Sequence, residues 1–564
     1  MCVAKFCIPW TEGESNVFMD METVASQVVE PECLSFSSIP HTSRLFDDFL
    51  HHFDKVRKFY ARPPQPGSWS GEERERIVYP DDRRKTVTEI LERQNRELGA
   101  GAKTMQNIQR LRNGAVAVVT GQQVGLFGGP LFCVLKAISA VRLAEQTGAV
   151  PVFWLAGEDH DLAEVNFVNL PAGDRLEKLA VEAPHHEGAP VGAIAFDDQV
   201  AAAVKQVEAH FAASQVSEVL EASYRKGETF LSAFAKFYAQ LLPDMGIVFL
   251  NPLDAELHRV AQPLYRSALE ESEVINQALL KREQELESAG YHVQVKVTPS
   301  HTLCFYLEDG TRLPVRHAGG RFLIGERSLS RDELVGEVAR CPERFSANVL
   351  LRPVIQDYLL PTLCYIGGPA EVAYFAQAES VYRHLAARVT PIVPRIFATL
   401  IEPRQAKLLK RYELKLADVF VPPEKLGELV AARALPNGVM RSFDAAARHL
   451  DQALAAIQPS LETLDRTLVD AAENAASKMR HQLQSLRDKA ARAEARKNTE
   501  LLRHAAELST LLYPNKELQE REIAAVYFLQ KYGVGLVETL KQSLKAGCLD
   551  HQVVQVGSAH LGQS

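Results

Sequence analysis

The chain has 564 residues, of which 46% are hydrophobic and 24% are charged, so it is long enough for several domains and too apolar for global disorder. Its 63 Lys and Arg residues against 71 Asp and Glu residues give a net charge of −8, which argues against nucleic acid or an anionic membrane as a partner. No run approaches the roughly 18 apolar residues that a membrane-spanning helix needs. Eight cysteines without CxxC spacing predict free thiols in the reducing cytoplasm, with no disulfide scaffold and no zinc site.

The first part of the chain is predicted to be an extension followed by helices. Residues 1–33 show no periodic pattern and are expected to be disordered. After a Ser/Thr cap, Leu45, Phe46 and Phe49 recur at the spacing of an amphipathic helix. A second, charge-rich helical segment is predicted from Asp82 to Arg112.

The pattern then changes to that of an α/β core. The apolar segments Ala115–Val119 and Val152–Ala156 flank a glycine-rich turn and a helix that is apolar on nearly every side. Continuous apolar strands joined by a helix are typical of a parallel sheet that is covered on both faces. A further strand is predicted at Met245–Leu250. The sequence therefore predicts a doubly wound parallel sheet.

Changes of pattern divide the rest of the chain. Residues 34–290 contain the first part of the core, and residues 291–345 alternate polar and apolar side chains in HVQVKV, TLCFYL, TRLPV and RFLIG, which predicts a small inserted antiparallel sheet. Residues 346–402 return to the core. Residues 403–512 are rich in Ala, Leu, Glu, Arg and Lys and are predicted to be helical, and residues 513–564 are expected to return to the core.

The helical region contains a leucine-rich stripe. From Leu450 to Leu486 apolar residues recur at steps of three and four, which is typical of a coiled-coil seam and also of ordinary helix packing. A proline inside a helix costs about 3 kcal/mol, whereas one in the first turn costs almost nothing. We therefore expect one helix to stop near Ile457, another to start near Pro459, and the two to form an antiparallel hairpin.

The first candidate site is the turn between the two predicted strands. At the carboxyl edge of a parallel sheet, a helix N-terminus presents free N–H groups to an anion, and glycines allow a close approach. The spacing matches neither GxGxxG nor GxxxxGK[ST], and four glycines can also form a simple tight turn. Two long amide side chains favour a binding role. The candidate residues are Thr120, Gly121, Gln122, Gln123, Gly125, Gly128 and Gly129.

The second candidate site is an acidic run, Glu158-Asp159-His160-Asp161, directly after the second core strand, where we expect it to lie beside the first turn. Repulsion between these carboxylates should raise one carboxyl pKa or attract a cation, with Mg²⁺ or an ammonium group as the obvious guests. His160 is a candidate general base near neutral pH. The alternative is a solvated helix start that is capped by Glu158 or Asp161.

The third candidate site combines polar residues in a predicted helix with a second glycine-rich turn. Arg352 and Asp357 lie in an apolar stretch, which indicates either a substrate clamp or a buried ion pair, and the sequence does not separate these alternatives. The second turn could form the opposite lip of the first pocket. The candidates are Arg352, Gln356, Asp357, Gly367, Gly368 and Glu371.

These motifs resemble the cysteine-adding enzymes of bacillithiol biosynthesis in four long blocks: TGQQVGLFGGPLFCVLKAISAVRLA, PVFWLAGEDHDLAEVN, RPVIQDYLLPTLCYIGGPAEVAYFAQ and LYPNKELQEREIAAVYFLQKYG. The resemblance extends from Leu34 to the C-terminal region. It implies a Rossmann-like core, similar to that of class I synthetases and nucleotidylyltransferases, and a coiled coil through which members form homodimers. The HxGH and KMSKS signatures of those distant relatives are absent, so their catalytic residues cannot be transferred.

The resemblance also implies a ligase that joins cysteine to glucosaminyl-malate. A free carboxylate is a poor electrophile, so ATP or another nucleotide is expected to activate it as an acyl adenylate or acyl phosphate. Our hypothesis is that the glycine N–H groups hold a phosphate or carboxylate and that Gln122 and Gln123 orient the substrates. The acidic run would hold an ammonium group or metal ion and deprotonate the attacking amine, with Asp159, His160 and Asp161 as the catalytic residues.

Two other functions stay open. A nucleotidylyltransferase that acts on another small substrate would release pyrophosphate without cysteine. A non-catalytic coiled-coil scaffold would lose its function when Arg441–Arg496 is deleted and would tolerate changes in Glu158–Asp161.

Overall fold

The computed structural model describes residues 31–545 and 547–557, so most of the predicted extension, residues 1–30, lies outside the described residues. The strands are β1 (Glu32–Leu34), β2 (Ala117–Gln122), β3 (Val150–Leu155), β4 (Phe167–Ala172), β5 (Arg175–Ala180), β6 (Val248–Leu250), β7 (His301–Glu308), β8 (Thr311–Ala318), β9 (Arg321–Ile324), β10 (Arg327–Leu329), β11 (Phe345–Ala347), β12 (Thr362–Gly367), β13 (Ile392–Pro394), β14 (Ala398–Ile401) and β15 (His551–Gln555).

The α-helices are α1 (Arg44–His51), α2 (Phe53–Val56), α3 (Ser70–Glu75), α4 (Asp81–Glu97), α5 (Ala102–Arg112), α6 (Phe132–Thr147), α7 (Gln199–Glu208), α8 (Gln215–Ser223), α9 (Phe230–Leu241), α10 (Ala255–Glu270), α11 (Ser272–Ser288), α12 (Arg331–Arg340), α13 (Arg352–Leu359), α14 (Pro369–Leu385), α15 (Pro403–Arg411), α16 (Leu416–Val419), α17 (Pro423–Arg433), α18 (Asn437–Leu464), α19 (Thr467–Lys497), α20 (Thr499–Leu512), α21 (Gln519–Glu522), α22 (Ala525–Tyr532) and α23 (Gly535–Ser543). None of the helices in the described ranges is long and apolar enough to cross a membrane.

The core is a five-stranded parallel sheet in the order β13-β12-β2-β3-β6, which confirms the predicted α/β fold. Every residue of β3 is buried, as expected for a strand that is covered on both faces. From β2 the chain winds through β3 to β6 on one side and later through β12 to β13 on the other. The winding direction therefore reverses between β2 and β12, and in open α/β sheets such a reversal leaves a crevice at the carboxyl ends of the strands.

The inserted sheet is antiparallel, in the order β10-β9-β8-β7-β11. One of its predicted strands, HVQVKV at residues 292–297, does not form. The side chain of Gln377 bonds both backbone groups of Val295 instead, since its Oε1 accepts from the Val295 N–H at 2.9 Å and its Nε2 donates to the Val295 carbonyl at 2.6 Å. A buried amide side chain therefore makes the backbone hydrogen bonds that a neighbouring strand would make to Val295.

Helices α18 and α19 pack side by side as the predicted antiparallel hairpin, but the predicted break at Pro459 is wrong. Helix α18 continues through Pro459 to Leu464, and the turn falls at Asp465 and Arg466. Pro459 and Ala455, whose carbonyl loses its N–H partner, are both exposed. Water can therefore solvate that carbonyl, which lowers the cost of the proline.

The end of the chain packs against its beginning. Strand β15 pairs with β14 and with β1, so residues 32 and 33 of the predicted disordered extension are ordered in a small sheet. Cys33 of β1 and Cys548, which precedes β15, form a disulfide, which corrects the prediction that all the cysteines are free thiols. The sequence could not show this pair because 515 positions separate the two residues. Cys133, Cys304 and Cys364 are buried free thiols.

Candidate active site

A cavity of about 800 Å³ opens at the carboxyl edge of the core sheet, where the winding direction reverses. The ends of β2, β3 and β12 form one wall together with the N-termini of α13 and α14. Strands β7 and β8 of the inserted sheet form the facing wall. The insertion thus closes a crevice that the parallel sheet alone would leave open.

The structure brings about half of the predicted site residues to this cavity. The residues that line it are Gly121, Gln122, Gln123, Glu158, Asp159, His160, Arg352, Gly368 and Glu371. The predicted residues that do not line it are Thr120, Gly125, Gly128, Gly129, Asp161, Gln356, Asp357 and Gly367.

The first turn and the acidic run meet in space. The Nε2 group of Gln123 donates to Asp159 Oδ2 at 2.7 Å and to Glu164 Oε2 at 2.8 Å. Thr120, one residue deeper, donates its hydroxyl to the Ile366 carbonyl at 3.0 Å and so ties β2 to β12. Gln123 therefore fixes the acidic run, and Thr120 has a role within the sheet.

The predicted phosphate cradle is not formed by the glycines of this turn. The N–H groups of Gly125, Gly128 and Gly129 donate to the Gln123 carbonyl, the Tyr224 hydroxyl and the Leu126 carbonyl. Gly128 has a φ of +83°, and a Cβ at this position would lie 2.8 Å from the Phe237 ring. These glycines allow close packing against α9 and leave no N–H groups for an anion.

The N-terminus of α6 is also covered. The Leu131 N–H donates to the Ile523 carbonyl at 2.9 Å, and the Ala525 N–H donates to the Gly129 carbonyl at 2.9 Å. The C-terminal segment therefore occupies the position where a Rossmann-type phosphate would bind. This does not fit the hypothesis that the glycine N–H groups of the turn hold a phosphate or carboxylate, and we assign no step to a nucleotide there.

A buried charged pair of the cavity is formed by Lys136 of α6 and Glu371 of α14. Their Nζ and Oε2 atoms are 2.7 Å apart, and Lys136 also donates to the Gly121 carbonyl at 2.7 Å and to Gln122 Oε1 at 3.0 Å. Burial lowers the pKa of Lys136 against the opposing effect of Glu371. Burial also opposes ionisation of Glu371, but Lys136, the Tyr365 hydroxyl and the Gly368 N–H together hold its pKa below the usual value.

Arg352 and Asp357 do not pair, which excludes the buried ion pair that the sequence left open. Arg352 faces the cavity and donates to Gln356 Oε1 at 3.0 Å and to the Tyr374 hydroxyl at 2.8 Å. Asp357 accepts from the Tyr382 hydroxyl and lines a separate, smaller cleft. Arg352 is thus available to a ligand, Gln356 orients it, and Asp357 belongs elsewhere. Gly367, at the end of β12, has no room for a side chain beside Ile392.

A second cavity arginine comes from the inserted sheet and was not predicted. Arg312 of β8 is held by the Ser346 hydroxyl at 2.9 Å and the Ala347 carbonyl at 2.7 Å, and its guanidinium lies 3.8 Å from the centre of the Phe305 ring. Burial lowers the pKa of Arg312, against the opposing charges of Glu158 and Asp159. Its Nη1 lies 3.4 Å from His160 Nδ1.

Glu158 is the buried member of the acidic run. Only 10% of its side chain is exposed, and Oε1 has no hydrogen-bond partner. Burial raises its pKa to about 7, although Arg312 and Arg352 act in the opposite direction. We call Lys136, Glu158 and Glu371 the floor of the cavity, and Asp159 and His160 the rim.

The prediction of a metal ion at the acidic run has no support in the described part of the chain, where no three His, Cys, Asp or Glu side chains cluster in a way that could hold one. Asp159 and Glu164 are both bonded to Gln123. Asp161 is exposed and does not line the cavity.

Sequence reasoning missed the floor lysine and the arginine of the insertion. Lys136 had a usable signal, because it is the single charged residue among the apolar positions 132–141 next to the glycine turn. Arg312 had none, because a charged residue in an alternating strand usually faces solvent.

The parallel sheet, the reversal of winding and the cavity at its carboxyl edge define a Rossmann-like ligand-binding protein with a C-terminal helical hairpin. Residues 30–396 match the family model "Bacillithiol biosynthesis BshC, N-terminal Rossmann-like domain", and residues 398–556 match "Bacillithiol biosynthesis BshC, C-terminal coiled-coil domain". The chain belongs to the BshC family.

Curated relatives cover nearly the whole chain. A relative from Koribacter versatilis is 45% identical over 532 residues, which are 93% of this chain and 100% of the relative. Relatives from Solibacter usitatus and Salinibacter ruber are 36% and 35% identical, covering 93% and 91% of this chain and 99% and 96% of their own length. All three bear the name "Putative cysteine ligase BshC".

Proposed function

We propose that this protein is a cysteine ligase that joins cysteine to glucosaminyl-malate by an amide bond, as the last step of bacillithiol biosynthesis. Family membership supports this activity over the two alternatives. The reaction forms a bond between the sugar amine and the cysteine carboxyl carbon, and one carboxyl oxygen must leave. Because a free carboxylate does not release that oxygen readily, we propose a nucleoside triphosphate as co-substrate and assign it no binding residues.

One observation carries this proposal: the cavity places a buried carboxyl group, Glu158, within electrostatic reach of two arginines, Arg312 and Arg352. The substrates contain carboxylates on malate and cysteine and amines on the sugar and cysteine. Guanidinium groups bind carboxylates through paired hydrogen bonds, and a carboxyl group binds an ammonium. A cavity of about 800 Å³ is of the size that takes small-molecule ligands.

The rim residues are proposed to orient the substrates. Asp159 is fixed by Gln123, and the His160 ring is 44% exposed beside Arg312. We also propose that the protein acts in the cytoplasm and forms a homodimer. The exposed apolar side chains near the turn of the hairpin, with Leu464 at 77% and Ile457 at 53%, support a partner at this surface.

The test is a reconstitution with the purified full chain. Cysteine, glucosaminyl-malate and ATP with Mg²⁺ should yield bacillithiol, detected by mass spectrometry of thiol-labelled products. The matched control is N-acetylated glucosaminyl-malate, which has no free amine and should give no product.

The alternatives predict other outcomes. Pyrophosphate release that needs no cysteine would favour a nucleotidylyltransferase. If no turnover occurs and host cells that lack the protein do not accumulate glucosaminyl-malate, the ligase proposal is wrong and a binding scaffold is favoured.

A further inference from the structure

Glu158 on the floor of the cavity faces a buried histidine that lies behind it. Glu158 Oε1 and His258 Nε2, on α10, are 3.9 Å apart, and their side chains are only 10% and 5% exposed. Neither Glu158 Oε1 nor His258 Nδ1 has a hydrogen-bond partner. Unsatisfied polar atoms inside a protein cost free energy, so one such atom on each of two neighbouring buried side chains calls for a functional reason.

The other acidic groups of the cavity are already engaged. Asp159 and Glu164 both accept from Gln123, and Glu371 is paired with Lys136. Among the described lining residues, Glu158 is thus the acid with a buried oxygen that no hydrogen bond occupies.

The groups around Glu158 favour a reversible proton site. Arg312 of β8 and Arg352 of α13 act on it from the cavity side, while His258 and Tyr265 of α10 lie behind it. Burial lowers the pKa of His258, although the carbonyl groups of Phe345 and Pro252 act against this. The imidazole is therefore neutral near pH 7 and places no second buried charge beside the carboxyl group.

We propose that Glu158 is the catalytic residue that takes a proton from the ammonium group of the bound amino sugar, and that His258 is a positioning residue that holds the carboxyl group. This inference rests on the proposed ligase function. It assigns the general base to Glu158 on the floor, whereas the sequence hypothesis assigned it to the residues that follow Glu158. The step is a proton transfer: one N–H bond of the ammonium breaks, and its proton joins a Glu158 oxygen. The neutral amine keeps the electron pair that attacks the acyl carbon.

The ionisation of Glu158 supports this role. A pKa of about 7 leaves comparable amounts of carboxylate and carboxylic acid at neutral pH, which is the range where a general base is effective. After product release, the proton can return to water through the open side of the cavity.

The kinetic test compares Glu158→Gln and Glu158→Asp with Glu182→Gln, a matched change at an exposed glutamate outside the cavity. E158Q should lower kcat at least 100-fold, E158D should lower it less, and E182Q should not change it. The rising limb of kcat against pH, expected near pH 7 in the natural protein, should be absent in E158Q. A folded E158Q variant with more than a third of normal kcat would overturn the assignment.

His258→Gln tests the positioning role. An amide at this site donates to the carboxylate at every pH, so the apparent pKa of the rising limb should fall by at least half a unit while the limb persists. If the apparent pKa of the rising limb does not change, His258 has no positioning role and only fills space.

Calorimetry separates failure of this inference from failure of the ligase proposal. Glucosaminyl-malate is titrated into the natural protein and into E158Q in two buffers with different ionisation heats, which measures the protons exchanged on binding. Proton exchange that disappears in E158Q supports Glu158 even if no ligation is found. Equal proton exchange in both proteins contradicts the role of Glu158.

Discussion

The floor and the rim of the cavity contain the same kinds of side chain in different surroundings. On the floor, Lys136 and Glu158 have 4% and 10% of their side chains exposed, whereas Asp159 and His160 at the rim have 40% and 44%. Adjacent residues of a single acidic run therefore face different dielectrics. Burial raises the pKa of Glu158 to about 7. Burial has this effect on Glu158 because no cation is paired with it, whereas the pKa of Glu371 on the same floor is lowered by its partner Lys136.

The largest effect on stability is expected from Lys136→Met on the floor. This change leaves Glu371 buried without its counter-ion, and the loss of one partner of a buried pair costs about 3–5 kcal/mol. Urea unfolding measures this cost, with Lys425→Met at an exposed position of α17 as the control. The double variant K136M/E371Q should recover part of the loss. If K136M and K425M are equally stable, the floor pair contributes nothing.

The next largest effect is expected from Glu158→Gln, as a dependence of stability on pH. The pKa of Glu158 in the folded protein lies above the usual value of 4.5, so the protonated carboxyl group stabilises the fold fully at pH values below 4.5. This stabilisation is lost as the pH rises from 4.5 through about 7. The loss amounts to about 3 kcal/mol. E158Q should therefore be the more stable protein at pH 8, with little difference from the natural chain at pH 4.5.

The measurement is the difference in unfolding free energy between the two proteins at each pH. A difference that does not change from pH 4.5 to pH 8 would mean that Glu158 has an ordinary pKa and that the contrast between floor and rim is wrong.

A moderate effect is expected from Asp159→Asn at the rim. The asparagine can still accept one bond from Gln123, and the site is partly hydrated, so unfolding should change by less than about 1 kcal/mol. If the side chain orients substrate, KM should rise several-fold while kcat stays within about threefold. Steady-state kinetics decide this, and a loss of kcat as large as that of E158Q would place the base at the rim.

The smallest effect is expected from Asp161→Asn. The side chain is exposed and does not line the cavity, so unfolding should change by no more than about 0.5 kcal/mol. Its kcat and KM should stay within twofold of the natural values. A large loss would show that the exposed end of the acidic run contacts substrate.

Local pattern was sufficient to predict the parallel core and the meeting of the first turn with the acidic run. The apolar runs of β2 and β3 define strands covered on both faces, and the carboxyl ends of neighbouring parallel strands necessarily lie together. The helix through Pro459 could not be predicted, because the cost of a proline depends on whether water reaches the freed carbonyl.

The partners of the turn glycines and of the floor residues depend on distant parts of the chain. The N–H group of Gly128 bonds to Tyr224, and Arg312 reaches the cavity from the inserted sheet. A glycine pattern indicates close approach without naming the approaching group, which here is packed protein and not a phosphate. The sequence could therefore locate the cavity but not divide its residues into floor and rim.

The C-terminal segment that covers the first turn is made late in the synthesis of the protein. Pro130 bridges to Ala524, so the segment that closes this turn leaves the ribosome long after β2 and β3 have been made. The turn after β2 and the apolar N-terminus of α6 therefore stay exposed on the nascent chain until translation is nearly complete. Ribosome stalling or premature termination before Ile523 should therefore yield a chain that depends on chaperones, even though its Rossmann-like half has been fully synthesised.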